Sequence, residues 1–225
     1  GVRASLHVDA AFSTTVKLRV IGRQQQLLRI DFETMPSHEV LAAKLQEFER
    51  AIEDCQVVIL SDYGKGGLTH IETMIRLARE RGRTVLVDPK GDDYSRYRGA
   101  TAVTPNRAEL REVVGRWKDE EDLTRRAQAL RDELDLDAIL LTRSEEGMTL
   151  YQRDRVVHEP TKAREVYDVS GAGDTVIATL GTMLASGAGM VEAMRVANHA
   201  AGIVVGKLGT AVVHRDELLA ELNAH

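Results

Sequence analysis

Several features that mark particular classes of protein are scarce in this sequence. Its 225 residues include one cysteine, Cys55, which excludes an intrachain disulfide and indicates a reducing compartment. Aromatic residues make up 4% and the net charge is −5, which argues against the stacking platforms and basic faces of nucleic-acid-binding proteins. No apolar run reaches the roughly 18 residues of a membrane-spanning helix. We therefore predict a cytoplasmic protein with no nucleic-acid or membrane partner.

Most of the chain alternates between apolar strands and amphipathic helices. Short, continuously apolar runs occur at 57–63, 84–90, 100–106 and 138–144. Strands of this kind predict a mostly parallel sheet with helices on both faces, because parallel strands are covered on both sides. The stretch 149–160 predicts an edge hairpin. We expect one α/β core over residues 35–225, with Ser37 as the cap of its first helix.

The front of the chain has a different period. Between residues 13 and 33, apolar and polar residues alternate on both sides of a turn placed at 22–26, which predicts a β-hairpin within a small segment spanning 1–34. The alternating apolar residues are Val16, Leu18, Val20, Leu28, Ile30 and Phe32. A two-stranded ribbon is marginal alone in water, so its apolar face needs a cover. The core, a ligand or a second subunit would each serve.

Polar residues follow each strand that is predicted for the core. The clusters stand at 61–65, 88–90, 104–106 and 142–144. Ligands of open α/β sheets bind beyond the carboxyl ends of the strands, and the topology brings these four ends to one rim. Polar turn residues are common after strands, so the four together, rather than any one, indicate a site.

The stretch DVSGAGDTV, residues 168–176, places Asp174 directly behind Gly171, Ala172 and Gly173 at the start of an apolar helical run. A helix amino terminus offers unpaired amides and partial positive charge, and glycines let an anion approach the backbone. A carboxylate beside such a loop is placed to take a proton from an attacking hydroxyl. The alternative is an ordinary glycine turn with an acid that stabilises the helix dipole. The chain contains neither a Walker loop nor a G-x-G-x-x-G fingerprint.

Four motifs together resemble the ribokinase-like, PfkB-type carbohydrate kinases. DVSGAGDT is similar to the family signature D-[TS]-[TS]-G-A-G-D, with Val169 at the variable second place, and NRAE (106–109) matches its N-x-x-E element. LTRSEEGM (141–148) and VANHAAGIVVGKLGT (196–210) resemble the segments that flank the nucleotide. The resemblance implies a three-layer α/β/α fold with a small β lid, and ATP and Mg²⁺ as cofactors. Family members begin with a strand and a G-G-x-x-x-N stretch that is not found here, so we expect the front of the family fold to be missing.

Within that family, LSDYGKGGL, VDPKG, TPNRAEL and EVYDVSGAGDTV resemble the kinases of D-glycero-β-D-manno-heptose 7-phosphate. This resemblance implies transfer of the γ-phosphate of ATP to O1 of that sugar phosphate, a step toward the ADP-heptose of the lipopolysaccharide core. Two alternatives stay open. One is a related kinase for another sugar or a nucleoside, and the other is a nucleotide-binding fragment without turnover.

The resemblance also implies roles for individual residues in catalysis. Asp174 is the base, and the amides of Gly171, Ala172 and Gly173 form an anion hole. Asn106 and Glu109 organise the waters around a Mg²⁺ that bridges the phosphates, although the same two residues also predict a helix-capping box.

The remaining implied contacts concern the two substrates. The residues predicted at the nucleotide are Ser144, Glu146, Gly147, Asn198, Gly209 and Lys90. The residues predicted at the sugar or its phosphate are Asp62, Lys65, Asp168 and Arg29. Simple turn, surface and solvated-face roles remain the alternatives for these positions. The hairpin resembles the family's lid, through which we expect a homodimer.

Overall fold

The computed structural model describes residues 2–6, 13–22, 25–162 and 166–224. The strands are β1 (Val16–Gly22), β2 (Gln25–Phe32), β3 (Val57–Ser61), β4 (Thr84–Asp88), β5 (Ala102–Val103), β6 (Ala138–Thr142), β7 (Met148–Gln152) and β8 (Val156–Glu159). The helices are α1 (His38–Ala51), α2 (Ile71–Glu80), α3 (Arg107–Val114), α4 (Glu120–Glu133), α5 (Ala172–Ala185), α6 (Met190–Val205) and α7 (Arg215–Asn223).

The strands form two separate sheets. β1 and β2 form an antiparallel ribbon, and the other six lie in the order β3-β4-β5-β6-β7-β8. The first four strands of this larger sheet are parallel, whereas β7 and β8 run antiparallel to their neighbours. The predicted mostly parallel sheet and its edge hairpin are therefore confirmed.

Helices cover both faces of the larger sheet. Val85 and Val87 of β4 point into one core with residues of α2, α3 and α4, while Leu86 between them points into a second core with α5 and α6. Successive strand residues face opposite sides, so strands buried on both faces need apolar residues at every position. This confirms the predicted α/β/α layering.

One strand is much shorter than its predicted span. The apolar run 100–106 pairs as a strand only at Ala102–Val103. Pro105 has no amide to donate to a ladder, and contact with β6 resumes as a single bridge between Asn106 and Thr142. The early end of β5 leaves Asn106 free to begin α3.

Local side chains set the start of three helices. Ser37 Oγ accepts from the Val40 amide over 3.3 Å at α1, as predicted. Asp119 accepts from the Asp122 amide over 2.8 Å at α4, and Asn106 caps α3. These short polar side chains satisfy amides that have no partner within their own helix.

The hairpin has the predicted alternation, although its strands extend further than expected. β1 reaches Gly22 and β2 starts at Gln25, and positions 23–24 of the predicted turn lie outside the described residues. The alternating apolar residues stand directly opposite one another and all are exposed: Val16 with Phe32, Leu18 with Ile30, and Val20 with Leu28. The part of the core that the structure describes therefore leaves this face uncovered. No helix of the described residues has the length and apolar character to span a membrane.

Candidate active site

The four parallel strands end at one edge of the sheet. Ser61, the last residue of β3, lies opposite Asp88 of β4, and the Asp62 amide donates to the Asp88 carbonyl over 2.9 Å. Asn106 and Thr142 pair where β5 and β6 end. The polar residues that follow these strands consequently share a rim, as the topology argument predicts.

The glycine stretch forms the turn that opens α5. Gly171 has φ +80°, a left-handed conformation that favours glycine, and Ala172 is the first helical residue. Among the described residues, no side chain caps this helix end. The Ala172 amide donates to the Val169 carbonyl over 3.2 Å, so the amides that follow in the first turn are better placed to receive an anion. The anion hole at Gly171, Ala172 and Gly173 stays a prediction.

Asp174 lies exposed in that first turn. Its Oδ1 accepts a hydrogen bond from the Tyr63 hydroxyl over 3.4 Å. The negative charge of Asp174 is the main cause that raises the pKa of Tyr63, followed by burial and the hydrogen bond itself. This contact joins the end of β3 to the start of α5, and it puts the predicted base at the rim of the sheet.

Asp88 adds a second acid at this place. Its pKa is raised to about 6, mainly by burial, with repulsion from Glu109 and Asp174 adding to the shift and Lys90 opposing it. Carboxylates that repel the charge of Asp88 in this way lie in one electrostatic field with it. The rim between β4, α3 and α5 is thus strongly negative, which favours a cation there when phosphates bind.

Asn106 and Glu109 form the capping box that was one of their two predicted roles. Asn106 Oδ1 accepts from the amides of Ala108 and Glu109 at 2.9 and 3.0 Å, and Glu109 Oε2 accepts from the Asn106 amide at 3.0 Å. Lys90 Nζ donates to Glu109 Oε1 over 3.1 Å. The side-chain oxygens of Asn106 and Glu109 face the rim, but they already accept these hydrogen bonds.

No cluster of three or more histidine, cysteine, aspartate or glutamate side chains suited to a metal occurs among the described residues. Mg²⁺ commonly keeps several waters and binds through one or two carboxylates together with substrate phosphates. Asn106, Glu109 and the nearby Asp88 fit that mode, in which waters and nucleotide supply most ligands. They do not fit a cage built from protein groups alone.

A cavity of about 350 Å³ lies between the end of β6, the start of β7, and helices α5 and α6. Three of the residues predicted at the nucleotide line it, namely Ser144, Gly147 and Asn198. Ala172 and Gly173 line the same cavity, so it opens onto the amino terminus of α5. The rest of the wall includes the apolar side chains of Met148, Val176, Ala201 and Val205. A mostly apolar cavity with a few polar groups beside a helix amino terminus suits a nucleotide.

Two residues give this cavity its shape. Gly147 has φ +92°, and a Cβ there would collide with the backbone of Glu159 and its neighbours. Asn198 is buried, and its Nδ2 donates to the Pro160 carbonyl over 2.7 Å. Both residues contact the segment after β8 and hold it beside the cavity. Their contact with a nucleotide remains a prediction.

Glu146 does not line the cavity. It accepts from Arg143 Nε over 2.9 Å and also pairs with Arg107, and these arginines lower its pKa. Arg143 is buried and donates from Nη1 and Nη2 to Glu120 at 2.7 Å each. An ion-pair network outside the cavity therefore holds the turn that follows β6.

The predicted sugar contacts have partners of their own. Asp62 is 6% exposed, and it accepts from the Tyr97 hydroxyl over 2.9 Å and from the Gly64 amide over 2.8 Å. Lys65 pairs with Glu33, and Arg29 pairs with Asp31 over 3.0 Å. Asp62 thus holds the loop after β3 in place, while Lys65 joins that loop to the foot of the hairpin.

Asp168 and Gly209 come together although 41 positions separate them in sequence. Hydrogen bonds from the Ser170 hydroxyl and amide and from the Gly209 amide lower the pKa of Asp168. The Ser170 amide lies 2.8 Å from Asp168 Oδ1. This carboxylate therefore ties the glycine turn of α5 to the loop after α6.

Three contributors to the site had no individual role predicted, although all three lie in the polar clusters expected at the rim: Tyr63, Asp88 and Arg143. Their position after apolar strands of a parallel sheet was the available signal. The contacts of Tyr63 with Asp174 and of Arg143 with Glu120 had no local signal, because these partners lie 111 and 23 positions away in the chain.

Three kinds of similarity to known proteins agree with this geometry. The family model for the pfkB family carbohydrate kinases matches residues 1–216. The chain is 56% identical over 221 residues to "D-beta-D-heptose 7-phosphate kinase" of Bordetella bronchiseptica, covering 98% of this chain and 71% of that protein. It is 52% identical to "Bifunctional protein HldE" of Shewanella loihica, covering 99% of this chain but only 47% of that protein. The chain thus spans about half the length of the bifunctional relative.

Solved structures show the same fold at lower identity. Ribokinase from Thermotoga maritima matches with a TM-score of 0.75 and 20% identity, over 93% of this chain and 70% of that one. Ribokinase from Arabidopsis thaliana, complexed with ribose and ATP, matches with a TM-score of 0.72 and 19% identity, over 88% of this chain and 65% of that one. These matches confirm the ribokinase-like fold.

Proposed function

This chain belongs to the pfkB family of carbohydrate kinases, and from that premise we propose that it phosphorylates O1 of D-glycero-β-D-manno-heptose 7-phosphate with ATP. The product is heptose 1,7-bisphosphate. The observation that carries the proposal is the exposed Asp174 carboxylate in the uncapped first turn of α5, at the mouth of the nucleotide-sized cavity. The 56% identity to a protein named for heptose 7-phosphate supports this acceptor.

The chemistry follows from where these groups lie. Asp174 accepts the proton of the sugar hydroxyl while the hydroxyl oxygen bonds to the γ-phosphorus, and the bond from that phosphorus to the β,γ-bridging oxygen breaks to release ADP. Amides in the first turn of α5 stabilise the charge on the transferring phosphoryl group. Mg²⁺, when bound with ATP, neutralises phosphate charge. Asn106 and Glu109 would hold its waters, and Asp88 lies in the same negative field.

The experiment is an ADP-release assay with purified protein, ATP and a panel of acceptors. Heptose 7-phosphate should support turnover, and Asp174→Asn should lower kcat by roughly 10²- to 10⁴-fold, the usual range for loss of a general base. Asp216→Asn is the matched control, because it makes the same change in the first turn of another helix, α7, at a residue outside the predicted site. Its kcat should match that of the parent.

Other outcomes distinguish the alternatives. Turnover only with another sugar or a nucleoside would replace the proposed acceptor while keeping the kinase. ATP binding with no turnover on any acceptor would favour a nucleotide-binding fragment. A near-parental kcat for Asp174→Asn would remove Asp174 as the base.

We further propose that residues 1–34 act as a lid and that the exposed apolar face of β1 and β2 pairs with the same face of a second copy. Six apolar side chains on one side of a ribbon form a self-complementary surface of the kind that symmetric dimers bury. Use of ATP and the single cysteine, Cys55, support a cytoplasmic location.

A further inference from the structure

Tyr63 has an unusual position for so large an aromatic side chain. It lies two positions after the end of β3, it is 60% exposed, and it is absent from both hydrophobic cores. Its hydroxyl donates to Asp174 Oδ1 over 3.4 Å. Packing does not explain an exposed ring at this place, whereas the contact with the proposed base does.

The backbone on either side of Tyr63 is fixed. Asp62 is buried and accepts from Tyr97 on one oxygen and from the Gly64 amide on the other. Lys65 pairs with Glu33 at the end of the hairpin. A loop held on both sides of Tyr63 restricts where its side chain can reach, which favours the positioning of a catalytic group.

We infer that Tyr63 is a positioning residue for Asp174: its hydroxyl holds Oδ1 and leaves Oδ2 to receive the proton of the acceptor hydroxyl. This inference rests on the proposed kinase function. A carboxylate without such a bond rotates about its Cβ–Cγ bond, and only some orientations aim an oxygen at the substrate. The 3.4 Å separation is long for an O–H···O bond, as catalytic hydrogen bonds often are before substrate binds.

The charges around Tyr63 keep it a donor. Asp174, and more weakly Asp88, raise the pKa of the Tyr63 phenol above its ordinary value. The hydroxyl therefore stays protonated throughout the neutral range. Because a neutral donor faces an ionised acceptor, the bond is charge-assisted.

The first test is a double-mutant cycle. Tyr63→Phe keeps the ring and removes the hydroxyl, and it should lower kcat about 10-fold with little change in KM for ATP. In an Asp174→Asn background, the same Tyr63→Phe change should have no further effect, because a residue that acts through Asp174 loses its role with it. Equal losses in both backgrounds would overturn the inference. So would a parental kcat for Tyr63→Phe. Thr182→Val, which removes an exposed hydroxyl about two turns further along α5, is the control and should retain parental kcat.

The second test does not depend on turnover. In protein labelled with ¹³C at tyrosine Cζ, the Tyr63 resonance is the one missing from Tyr63→Phe. Its pKa should lie above that of a free phenol and should fall in Asp174→Asn. A Tyr63 that titrates identically in both proteins would refute the contact, whatever the activity. A normal contact in a protein that phosphorylates no acceptor would instead refute the proposed function, and the positioning role would fall with it.

Discussion

The two sheets of this chain carry apolar side chains of similar size, but the larger sheet buries them and the two-stranded ribbon exposes them. Ile139 of β6 is 0% exposed because helices cover both faces of the larger sheet, whereas Ile30 of β2 is 37% exposed on a ribbon that the described residues leave uncovered. The same residue type is therefore a source of stability in one sheet and a candidate contact surface in the other. Apolar alternation predicts strands, but it does not say which element buries them.

The largest difference should appear when the same substitution is made in both sheets. Ile139→Ala should lower the free energy of unfolding by about 2–5 kcal/mol, because it leaves a cavity in a packed core. Ile30→Ala should change it by less than about 0.5 kcal/mol at protein concentrations low enough to give monomer. Urea denaturation of both variants measures the contrast, and similar costs at the two positions would contradict it.

The next effect concerns association. Leu18→Asp combined with Ile30→Asp puts two carboxylates on the apolar face of the ribbon, and it should weaken the proposed dimer by roughly 100-fold or more. Arg19→Asp places the same group on the opposite face of β1 and should have a much smaller effect. Sedimentation equilibrium measures the dissociation constants. A parent protein that is monomeric throughout, or a double variant that associates as tightly, would rule out this interface.

The smallest expected effect concerns a charged group, the Asp88 carboxylate, rather than an apolar side chain. The pKa of Asp88, at the end of a core strand, is raised from 3.8 to about 6, so its ionised form destabilises the fold above pH 6. Asp88→Asn should therefore stabilise the protein at pH 7.5 by on the order of 1–2 kcal/mol. This advantage should shrink as the pH falls through 6 toward 4, where the folded protein protonates Asp88.

Unfolding by urea at pH 7.5 and pH 5 measures this dependence. Asp93→Asn is the control of opposite sign, because hydrogen bonds from Ser95 lower the pKa of Asp93 and its loss should not stabilise the protein at neutral pH. An Asp88→Asn advantage that is the same at both pH values would contradict the assignment.

Much of the fold could be predicted because its signals are local. Apolar runs predicted the parallel strands, and Ser37 predicted the start of α1 through a contact three residues away. The capping box of Asn106 and Glu109 was likewise visible as a local pattern. The span of β5 was wrong because pairing depends on neighbouring strands, and Pro105 interrupts it.

The candidate site was less predictable because its side chains form contacts with residues that are distant in sequence. Glu146 was expected at the nucleotide, yet it pairs with Arg143 and Arg107 outside the cavity. Asp62 was expected at the sugar, yet it is buried against Tyr97. Both substrate contacts stay predictions, and the direction of each side chain depends on a partner remote in sequence, Arg107 for Glu146 and Tyr97 for Asp62.

The amino-acid order by itself determined the alternation of strands and helices, the glycine turn before Asp174, and the apolar stripe of the hairpin, because each is set by neighbours within a few positions. Only the tertiary structure decided that Tyr63 reaches Asp174, that Asp88 shares its field with Glu109, and that the hairpin face stays exposed. Those facts depend on distances in space between distant segments, and packing of the sheet and its helices sets those distances.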